Sequence, residues 1–306
     1  MTTTTTTAAE RKISAATGPL LMLLGMVMFA LNDAMGKWLV SSYGLGQVVF
    51  LRSLAALAIL IPMVWMAGVA SLTKVERPKM QFARVVFSTA EVFCFYYAVI
   101  YLPLADVMTY WLAAPIYVAA VSPFLLGEQV GWRRWTAIAI GFVGVIIALE
   151  PSSAMFTMPA VISIIGSAAF AFMLITGRFL RGTPDSTLVF FQVVGAGLAG
   201  LAFVPFDWAP IASSRDLLLL GLLGIVAMSA HMLVNRALKM SDAATVAPLQ
   251  YTLLLWAVVF GWLFFGDVPR LGMMIGAALI IASGLFIFVR EQTLKKKEKV
   301  LPAVPE

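Results

Sequence analysis

The sequence predicts an all-α membrane protein with ten transmembrane helices, arranged as two inverted repeats of five helices each. Three observations support this prediction: the composition, the length of the apolar runs, and a similarity between the two halves of the chain. Of the 306 residues, 61% are hydrophobic and only 12% are charged, whereas soluble domains carry about 25% charged residues. We therefore expect the chain to be embedded in a lipid bilayer.

Apolar runs follow one another from Gly18 to Val289, separated by short polar breaks. Each run is long enough to cross a bilayer as a helix, which takes about 17–25 residues. We place the ten spans at residues 18–40, 46–70, 81–101, 105–126, 132–149, 158–180, 186–206, 217–238, 244–265 and 271–289. These spans leave room for two tails and short loops, and none for a soluble domain.

The distribution of basic residues predicts that both termini are cytoplasmic. Lys and Arg collect in the cytoplasmic loops of membrane proteins, and here only Arg215 and Arg270 fall in loops on the side opposite the tails. Residues 1–17, with their run of threonines, are expected to form a disordered tail, and residues 290–306 a basic one. The net charge of +6 therefore reflects topology, and nucleic-acid binding is not needed to explain it.

The two halves, residues 18–150 and 151–289, resemble each other at an offset near 140 residues. The matched positions include Gly25 with Gly166, Phe29 with Phe170, Gly36 with Gly177, Lys37 with Arg178, Arg52 with Gln192, and Gly127-Glu128 with Gly266-Asp267. Because each half holds an odd number of spans, the second copy must enter the membrane in the opposite orientation. Inverted repeats are typical of secondary transporters. A duplication with only structural consequences is the alternative interpretation.

Short motifs around the fourth and fifth spans recur in both halves. They are Leu102-Pro103-Leu104-Ala105-Asp106, Pro115, Leu126-Gly127-Glu128, Gly141 and Gly144, echoed by Ser241-Asp242-Ala243, Pro248, Gly266-Asp267 and Gly284. With these motifs the chain resembles the ten-helix EamA-type carriers of the drug/metabolite transporter superfamily, and within it the bacterial exporters of aromatic and other amino acids. The resemblance implies an inner-membrane exporter that does not hydrolyse ATP. It also implies a central cavity lined mainly by the third, fourth, eighth and ninth helices.

Charged side chains inside membrane spans are costly, so each one is a functional candidate. Glu91 lies midway along the third span, and the repeat offset places His231, the only histidine, at the equivalent point of the eighth. An inverted repeat brings such a pair to similar depth, where carriers bind substrate. We expect both residues to bind substrate or a coupling proton, with Glu91 also able to meet an ammonium group. A structural hydrogen bond between helices is the alternative for each.

Aromatic and amide side chains extend this candidate site. Tyr110 and Trp111 of the fourth span match Gln250 and Tyr251 of the ninth at the same offset. Such side chains suit a cavity that accepts bulky solutes while hydrogen-bonding a polar end. An interfacial aromatic belt is the alternative, above all for Tyr101 at a span end. The candidate substrate-binding residues are Glu91, Tyr96, Tyr97, Tyr110, Trp111, His231, Asn235, Gln250 and Tyr251.

A second group of charges lies towards the outer end of the first two spans. Asp33 and Lys37 stand one helical turn apart and are expected to pair on one face, with Arg52 near the same level. We expect these three residues to form a gate or charge network. Arg52 is also the best-placed guanidinium to attract a substrate carboxylate. Mutual neutralisation without a gating role is the alternative.

The leading hypothesis is a secondary carrier that exports amino acids, aromatic and other neutral ones, by alternating access. The first rival is a carrier of nucleotide-like metabolites, drugs or quaternary cations, for which an aromatic cavity works equally well. The rival from another class is an intramembrane enzyme, but the sequence has no metal-site or nucleophile–base motif that such an enzyme needs. We expect a small-molecule substrate, the lipid bilayer and, as candidate coupling ions, protons. No cofactor, metal or nucleic acid is expected.

Overall fold

The computed structural model describes residues 8–67, 72, 77–126, 131–149, 157–180, 182–240 and 247–300. Within these residues all regular structure is helical, which confirms the all-α prediction. The threonine run at 2–7, Gly127-Glu128 and Ser241-Asp242-Ala243 lie outside the described residues.

The helices are numbered in chain order. They are α1 (Ala8–Val40), α2 (Leu45–Ala67), α3 (Pro78–Tyr101), α4 (Leu104–Leu112), α5 (Ala114–Leu126), α6 (Trp132–Leu149), α7 (Met158–Phe179), α8 (Asp185–Asp207), α9 (Ser214–Met240), α10 (Thr252–Phe265) and α11 (Leu271–Val300), with a 3-10 turn at Ala247–Tyr251 before α10.

Eight apolar segments of the described chain are long enough to cross a membrane. Two shorter apolar helical segments, Trp135–Ala148 and Leu249–Phe265, fall on the predicted fifth and ninth spans. The chain is therefore a multi-pass helical membrane protein. The total of ten spans and the orientation of the termini remain predictions.

The first helix differs from the prediction at its N-terminus. We expected a disordered tail up to residue 17, but α1 is continuous from Ala8. The reason is local composition, because the segment from Ala8 to Lys12 contains only alanine, glutamate, arginine and lysine, which are strong helix formers. Hydropathy marks where the apolar part of a helix begins and does not register such a polar extension.

Two prolines interrupt spans that were predicted to be continuous. The fourth span breaks at Ala113 into α4 and α5, and Pro115 follows directly after the break. The ninth span opens with a 3-10 turn that contains Pro248. A proline ring lacks an N–H group and clashes with the carbonyl four residues earlier, which disrupts a helix at such points. The first break places Trp111 at the end of α4.

Helices of the first half pack mainly on helices of the second half. The most extensive contacts join α1 with α9, α3 with α7, α2 with α8, and α6 with α11. The short helix α4 lies at the centre, and all nine of its residues are buried. The core therefore surrounds α4, and the spans that carry Asp33, Arg52, Glu91 and His231 are held against one another beside it.

Candidate functional site

Glu91 and Trp111 are joined directly across α3 and α4. The indole Nε1–H of Trp111 donates a hydrogen bond of 2.9 Å to Oε1 of Glu91. The Trp111 ring is 7% exposed and stands edge-on to Phe95, with ring centroids 5.4 Å apart. Its outer edge packs against Gly166 of α7. The indole thus orients the Glu91 carboxylate while its own position is fixed by packing on two sides.

Arg52 and Tyr96 form the second polar contact, across α2 and α3. Arg52 Nη1 donates a hydrogen bond of 2.5 Å to the Tyr96 hydroxyl, and the guanidinium also lies over the Tyr96 ring. Tyr96 is 1% exposed because it packs directly on Gly36 of α1. A Cβ atom at position 36 would lie 2.3 Å from Cε1 of Tyr96. Glycine at this position therefore permits the approach of Tyr96 that holds Arg52.

Asp33 belongs to this site and not to an ion pair with Lys37, which corrects the sequence prediction. The Asp33 carboxylate interacts electrostatically with Glu91 and Arg52. Lys37 instead forms an ion pair with Asp267, with 2.7 Å between Nζ and Oδ2. The two side chains are one turn apart on α1, but Lys37 pairs with a residue of the other half of the chain, and the charges that act on Asp33 are those of Glu91 on α3 and Arg52 on α2.

His231 lies on the α9 side of the same region. Its Nδ1 is 2.8 Å from the carbonyl oxygen of Ala227, and its ring stands edge-on to Phe29, with centroids 4.7 Å apart. His231 also interacts electrostatically with Arg52 and Arg84. Within the described residues it forms no hydrogen bond with Glu91, its counterpart at the repeat offset.

We refer to Asp33, Arg52, Glu91, Tyr96, Trp111 and His231 as the central cluster. Its charged members and His231 lie deep inside the helix bundle, yet Asp33, Arg52, Glu91 and His231 all keep part of their surface accessible. The central cluster therefore brings two carboxylates, one guanidinium, one imidazole and two aromatic rings together inside the bundle.

A cavity of about 50 Å³, room for a few water molecules, opens beside Arg52 and His231. It lies between α2, α3, α8 and α9, which are the second, third, seventh and eighth predicted spans. The resemblance implied a cavity lined by the third, fourth, eighth and ninth helices, so the second and seventh spans take the place of the fourth and ninth. Gln192 of α8 is a further polar residue of this wall that was not among the predicted site residues. Its match to Arg52 at the repeat offset was the signal that could have identified it.

Several predicted site residues lie elsewhere. Tyr97 packs on Tyr101, which is 60% exposed near the end of α3. Gln250 is exposed, and the hydroxyl of Tyr251 is directed at Gly284 of α11. Tyr110 is buried in the core around α4, at 3% exposure. The side chain of Asn235 lies outside what the structure describes.

A second set of charges closes one end of the bundle, and we refer to Lys37, Asp106, Asp267 and Arg270 as the end latch. Lys37 Nζ also donates to the Leu102 carbonyl at 3.3 Å, and Arg270 pairs with Asp106 at 2.5 Å. Pro103 is the N-cap residue of α4 and no side-chain cap is formed there. The end latch thus ties α1 and α4 to the loop between α10 and α11.

Gly266 sets the position of Asp267 in the end latch. It ends α10 in a left-handed conformation with φ of 68°, which L-residues with side chains rarely adopt. The chain then turns back, and the Asp267 N–H donates to the carbonyl of Gly261. This turn brings the Asp267 carboxylate to Lys37.

The loops at the same end also join the two halves. The Tyr43 hydroxyl donates a 2.6 Å hydrogen bond to Asp216, an interaction that raises the pKa of Tyr43. The Gly46 N–H donates to Asp207 at 2.8 Å, and the Gln47 amide exchanges two hydrogen bonds with the backbone of Ala209. This end of the bundle is therefore closed by polar contacts between the halves.

Comparison with known proteins identifies the chain's relatives. It is 25% identical to an S-adenosylmethionine uptake transporter of Rickettsia prowazekii, over 88% of this chain and 92% of that protein. It is 26% identical to a riboflavin transporter of Vibrio cholerae (92% and 96% covered) and to a pseudopaline exporter of Pseudomonas aeruginosa (92% and 97%).

A structural match and a family match support the same relationship. A solved crystal structure matches 92% of this chain and 99% of its own with a TM-score of 0.60 at 15% identity, which shows a shared fold. The model of the EamA-like transporter family matches the sequence twice, at residues 16–149 and 157–289. The chain belongs to the EamA-like transporter family.

Proposed function

We propose that the chain is a secondary transporter of the bacterial inner membrane that moves amino acids, or metabolites bearing an amino-acid group, by alternating access. Transport follows from the family. The observation that carries the substrate class is the central cluster, in which a guanidinium, two carboxylates and aromatic faces lie together deep in the bundle.

The chemistry of these groups complements an amino acid. A guanidinium binds a carboxylate through charge-assisted hydrogen bonds, so Arg52 is the partner for the substrate carboxylate. Asp33 and Glu91 are the partners for the ammonium group. The faces of Tyr96 and Trp111 provide apolar contact for a side chain, aromatic ones included.

The packing of the helices supports alternating access between two inverted halves. Under the repeat offset α1 corresponds to α7 and α3 to α9, so the α1–α9 contact has the α7–α3 contact as its counterpart. Gly25 packs against Val234, and Gly166 packs against Cys94, which are equivalent pairs at the repeat offset. Halves with matching contacts can exchange shapes and expose a central site to each side in turn.

Orientation and direction complete the proposal. We propose that both tails are cytoplasmic, which puts the end latch on the periplasmic side, and that the physiological direction is export. The cavity of about 50 Å³ is far smaller than the 300–1,000 Å³ or so of typical ligand sites. A bound solute would therefore require the helices around the central cluster to separate, as alternating access demands.

A second candidate is a carrier of nucleotide-like metabolites, drugs or quaternary cations. Two relatives are named for S-adenosylmethionine and riboflavin, and aromatic residues of the central cluster can stack on heterocyclic rings. Competition experiments distinguish this candidate from the first.

The test is counterflow in liposomes that contain the purified chain. Vesicles loaded with unlabelled phenylalanine should transiently accumulate labelled phenylalanine, and other neutral amino acids should compete. Competition by nucleosides or organic cations alone would replace the first candidate by the second. No counterflow with any of these solutes, in vesicles shown to contain folded protein, would contradict the proposal.

A further inference from the structure

Gln192 places a polar side chain on an otherwise apolar face of α8. The residues of α8 that line the cavity are Val189, Gln192, Val193 and Ala196. Their spacing of three and four residues puts them on one face of the helix. Gln192 lies about 10 Å along the helix axis from Asp185, where α8 begins, so this position is well inside the span. A polar side chain at such a depth is a candidate for function.

The amide of Gln192 has no partner within the described part of the chain, unlike the other polar side chains of the cavity wall. Arg52 donates to the Tyr96 hydroxyl. Ser53 and His231 each contact a backbone carbonyl one turn earlier on their own helix. Gln192 forms no hydrogen bond with any described residue. It therefore keeps two N–H donors and one carbonyl acceptor for a molecule that occupies the cavity.

Gln192 is also the counterpart of Arg52 at the repeat offset. Both residues line the same cavity, Arg52 from α2 of the first half and Gln192 from α8 of the second. A Cβ atom at Gly197 of α8 would lie 3.1 Å from Cβ of Ser53 on α2, so the two helices are in close contact beside the cavity. The two halves thus present different groups to one space. Arg52 offers a cation with donors alone, and Gln192 offers a neutral amide with donors and an acceptor.

A carboxamide is complementary to a group that presents a donor beside an acceptor. Glutamine and asparagine side chains pair in this way, through two hydrogen bonds, with the edge of adenine that carries N6 and N7. Another carboxamide presents the same pair of groups. A carboxylate offers acceptors alone and suits a guanidinium better. An apolar group placed against Gln192 would leave its amide unpaired inside the bundle, which costs binding free energy.

We propose that Gln192 is a specificity-determining residue, which selects solutes that carry a neutral donor–acceptor pair in addition to the carboxylate bound by Arg52. The donor–acceptor pair is either a carboxamide or the edge of a heterocycle. This inference rests on the transport function proposed above and narrows its substrate class. Because the rest of the α8 wall is apolar, Gln192 is the residue of this wall that distinguishes a polar solute from an aliphatic one of equal size.

The experiment compares two pairs of solutes that differ in the donor–acceptor pair and hardly in shape. Asparagine and leucine have side chains with the same number and connectivity of heavy atoms. S-adenosylhomocysteine and its 7-deaza analogue differ in the N7 acceptor. Each solute competes with the counterflow of labelled phenylalanine in liposomes. Asparagine, S-adenosylhomocysteine or both should compete at a concentration lower by about tenfold or more than the matched solute, because a buried polar group is left unpaired by the latter.

The two pairs identify the source of the donor–acceptor group. A preference in the first pair alone assigns a carboxamide on the solute, and a preference in the second pair alone assigns a heterocyclic edge. Equal competition within both pairs, with phenylalanine counterflow intact, would overturn this inference and leave the transporter proposal standing.

Variants assign the preference to Gln192. Gln192→Met keeps the length of the side chain and removes the amide, so the preference should disappear, while Gln192→Asn should retain part of it. Gln250→Met makes the same change at an exposed position, and this matched control should keep the wild-type preference. Phenylalanine counterflow shows that each variant is folded, and Gln192→Ala takes the place of Gln192→Met if the latter does not fold.

The failures of the two proposals are distinguishable. A preference that persists at full size in both Gln192→Met and Gln192→Ala would overturn the role of Gln192. If phenylalanine and asparagine are not exchanged at all, the proposed amino-acid substrate class fails. Direct counterflow of labelled S-adenosylhomocysteine against its 7-deaza analogue then decides the role of Gln192 independently.

Discussion

The end latch and the central cluster are both built from charged residues, but they use charge in opposite ways. In the end latch each charge has an opposite partner, Lys37 with Asp267 and Arg270 with Asp106. In the central cluster, Asp33, Arg52 and Glu91 lie deeper and none of them has an ion-pair partner in the described chain. Paired charges join parts of a structure, whereas unpaired charges in the interior are costly and indicate a ligand.

This difference predicts that changes in the central cluster impair transport and leave the fold intact. The largest effect is expected for Glu91→Gln. It should reduce counterflow by about 30-fold or more, because losing one partner of a buried, hydrogen-bonded charge costs about 2–5 kcal/mol. Size-exclusion profiles of the detergent-solubilised protein should remain unchanged. Normal counterflow by this variant would remove Glu91 from the site.

Changes in the end latch should have the opposite signature. Lys37→Met leaves the Asp267 carboxylate without its charged partner. Both side chains are largely buried, with Lys37 14% and Asp267 21% exposed. We expect a loss of stability of about 1.5–3 kcal/mol, the range for hydrogen bonds to charged groups, seen as a lower Tm. The bundle should also open more often at this end.

A double variant checks that the ion pair causes this effect. Lys37→Met with Asp267→Leu removes both charges, so it should recover a large part of the stability lost in Lys37→Met alone. A double variant as unstable as the sum of the two single ones would show that the pair does not couple α1 to the α10–α11 loop.

Tyr96→Phe should have an intermediate effect on transport. It removes the hydroxyl that accepts the hydrogen bond from Arg52 and keeps the ring that packs on Gly36. An increase in KM of about 10-fold or more is expected, because a hydrogen bond to a charged group contributes at least about 1.5 kcal/mol. Stability should change little. An unchanged KM would mean that Tyr96 does not position Arg52 for the substrate.

Tyr97→Phe should have the smallest effect. Tyr97 was a predicted site residue, but it packs on Tyr101 towards the exposed end of α3. Counterflow should stay within about twofold of wild type, as for surface substitutions away from special features. A loss as large as that of Tyr96→Phe would show that the central cluster extends beyond the residues assigned to it.

The sequence predicted the helical membrane fold because long apolar runs have few other structures available. It also placed Glu91 and Trp111 in one site, and they are in direct contact. Polar residues within apolar runs stand out regardless of the details of packing. The prolines at the two helix breaks can be seen in the sequence, but which backbone hydrogen bonds they interrupt depends on how the helices pack.

The partners of the charges were less accessible to sequence reasoning. The spacing on α1 predicted that Asp33 is the ion-pair partner of Lys37, because residue spacing in a sequence reveals only contacts within one helix. The actual partner, Asp267, lies 230 residues away and is positioned by the left-handed turn at Gly266. The same limitation hid Gln192 from the cavity wall. It also assigned Asp33 to a charge network with Lys37 and Arg52 and did not relate it to Glu91, since both relations depend on contacts between helices.

Alternating access around the central cluster is tested most directly by labelling one cavity-lining position from each side of the membrane. Ser53 lines the cavity, and Cys94 is the chain's only cysteine, so Ser53→Cys in a Cys94→Ala background gives a single thiol. We predict that a membrane-impermeant maleimide labels this thiol from either side of the membrane and that a transported solute slows labelling from both sides. Lys37→Met should favour labelling from the end-latch side. Labelling from one side only, whatever solute or latch variant is used, would contradict the account.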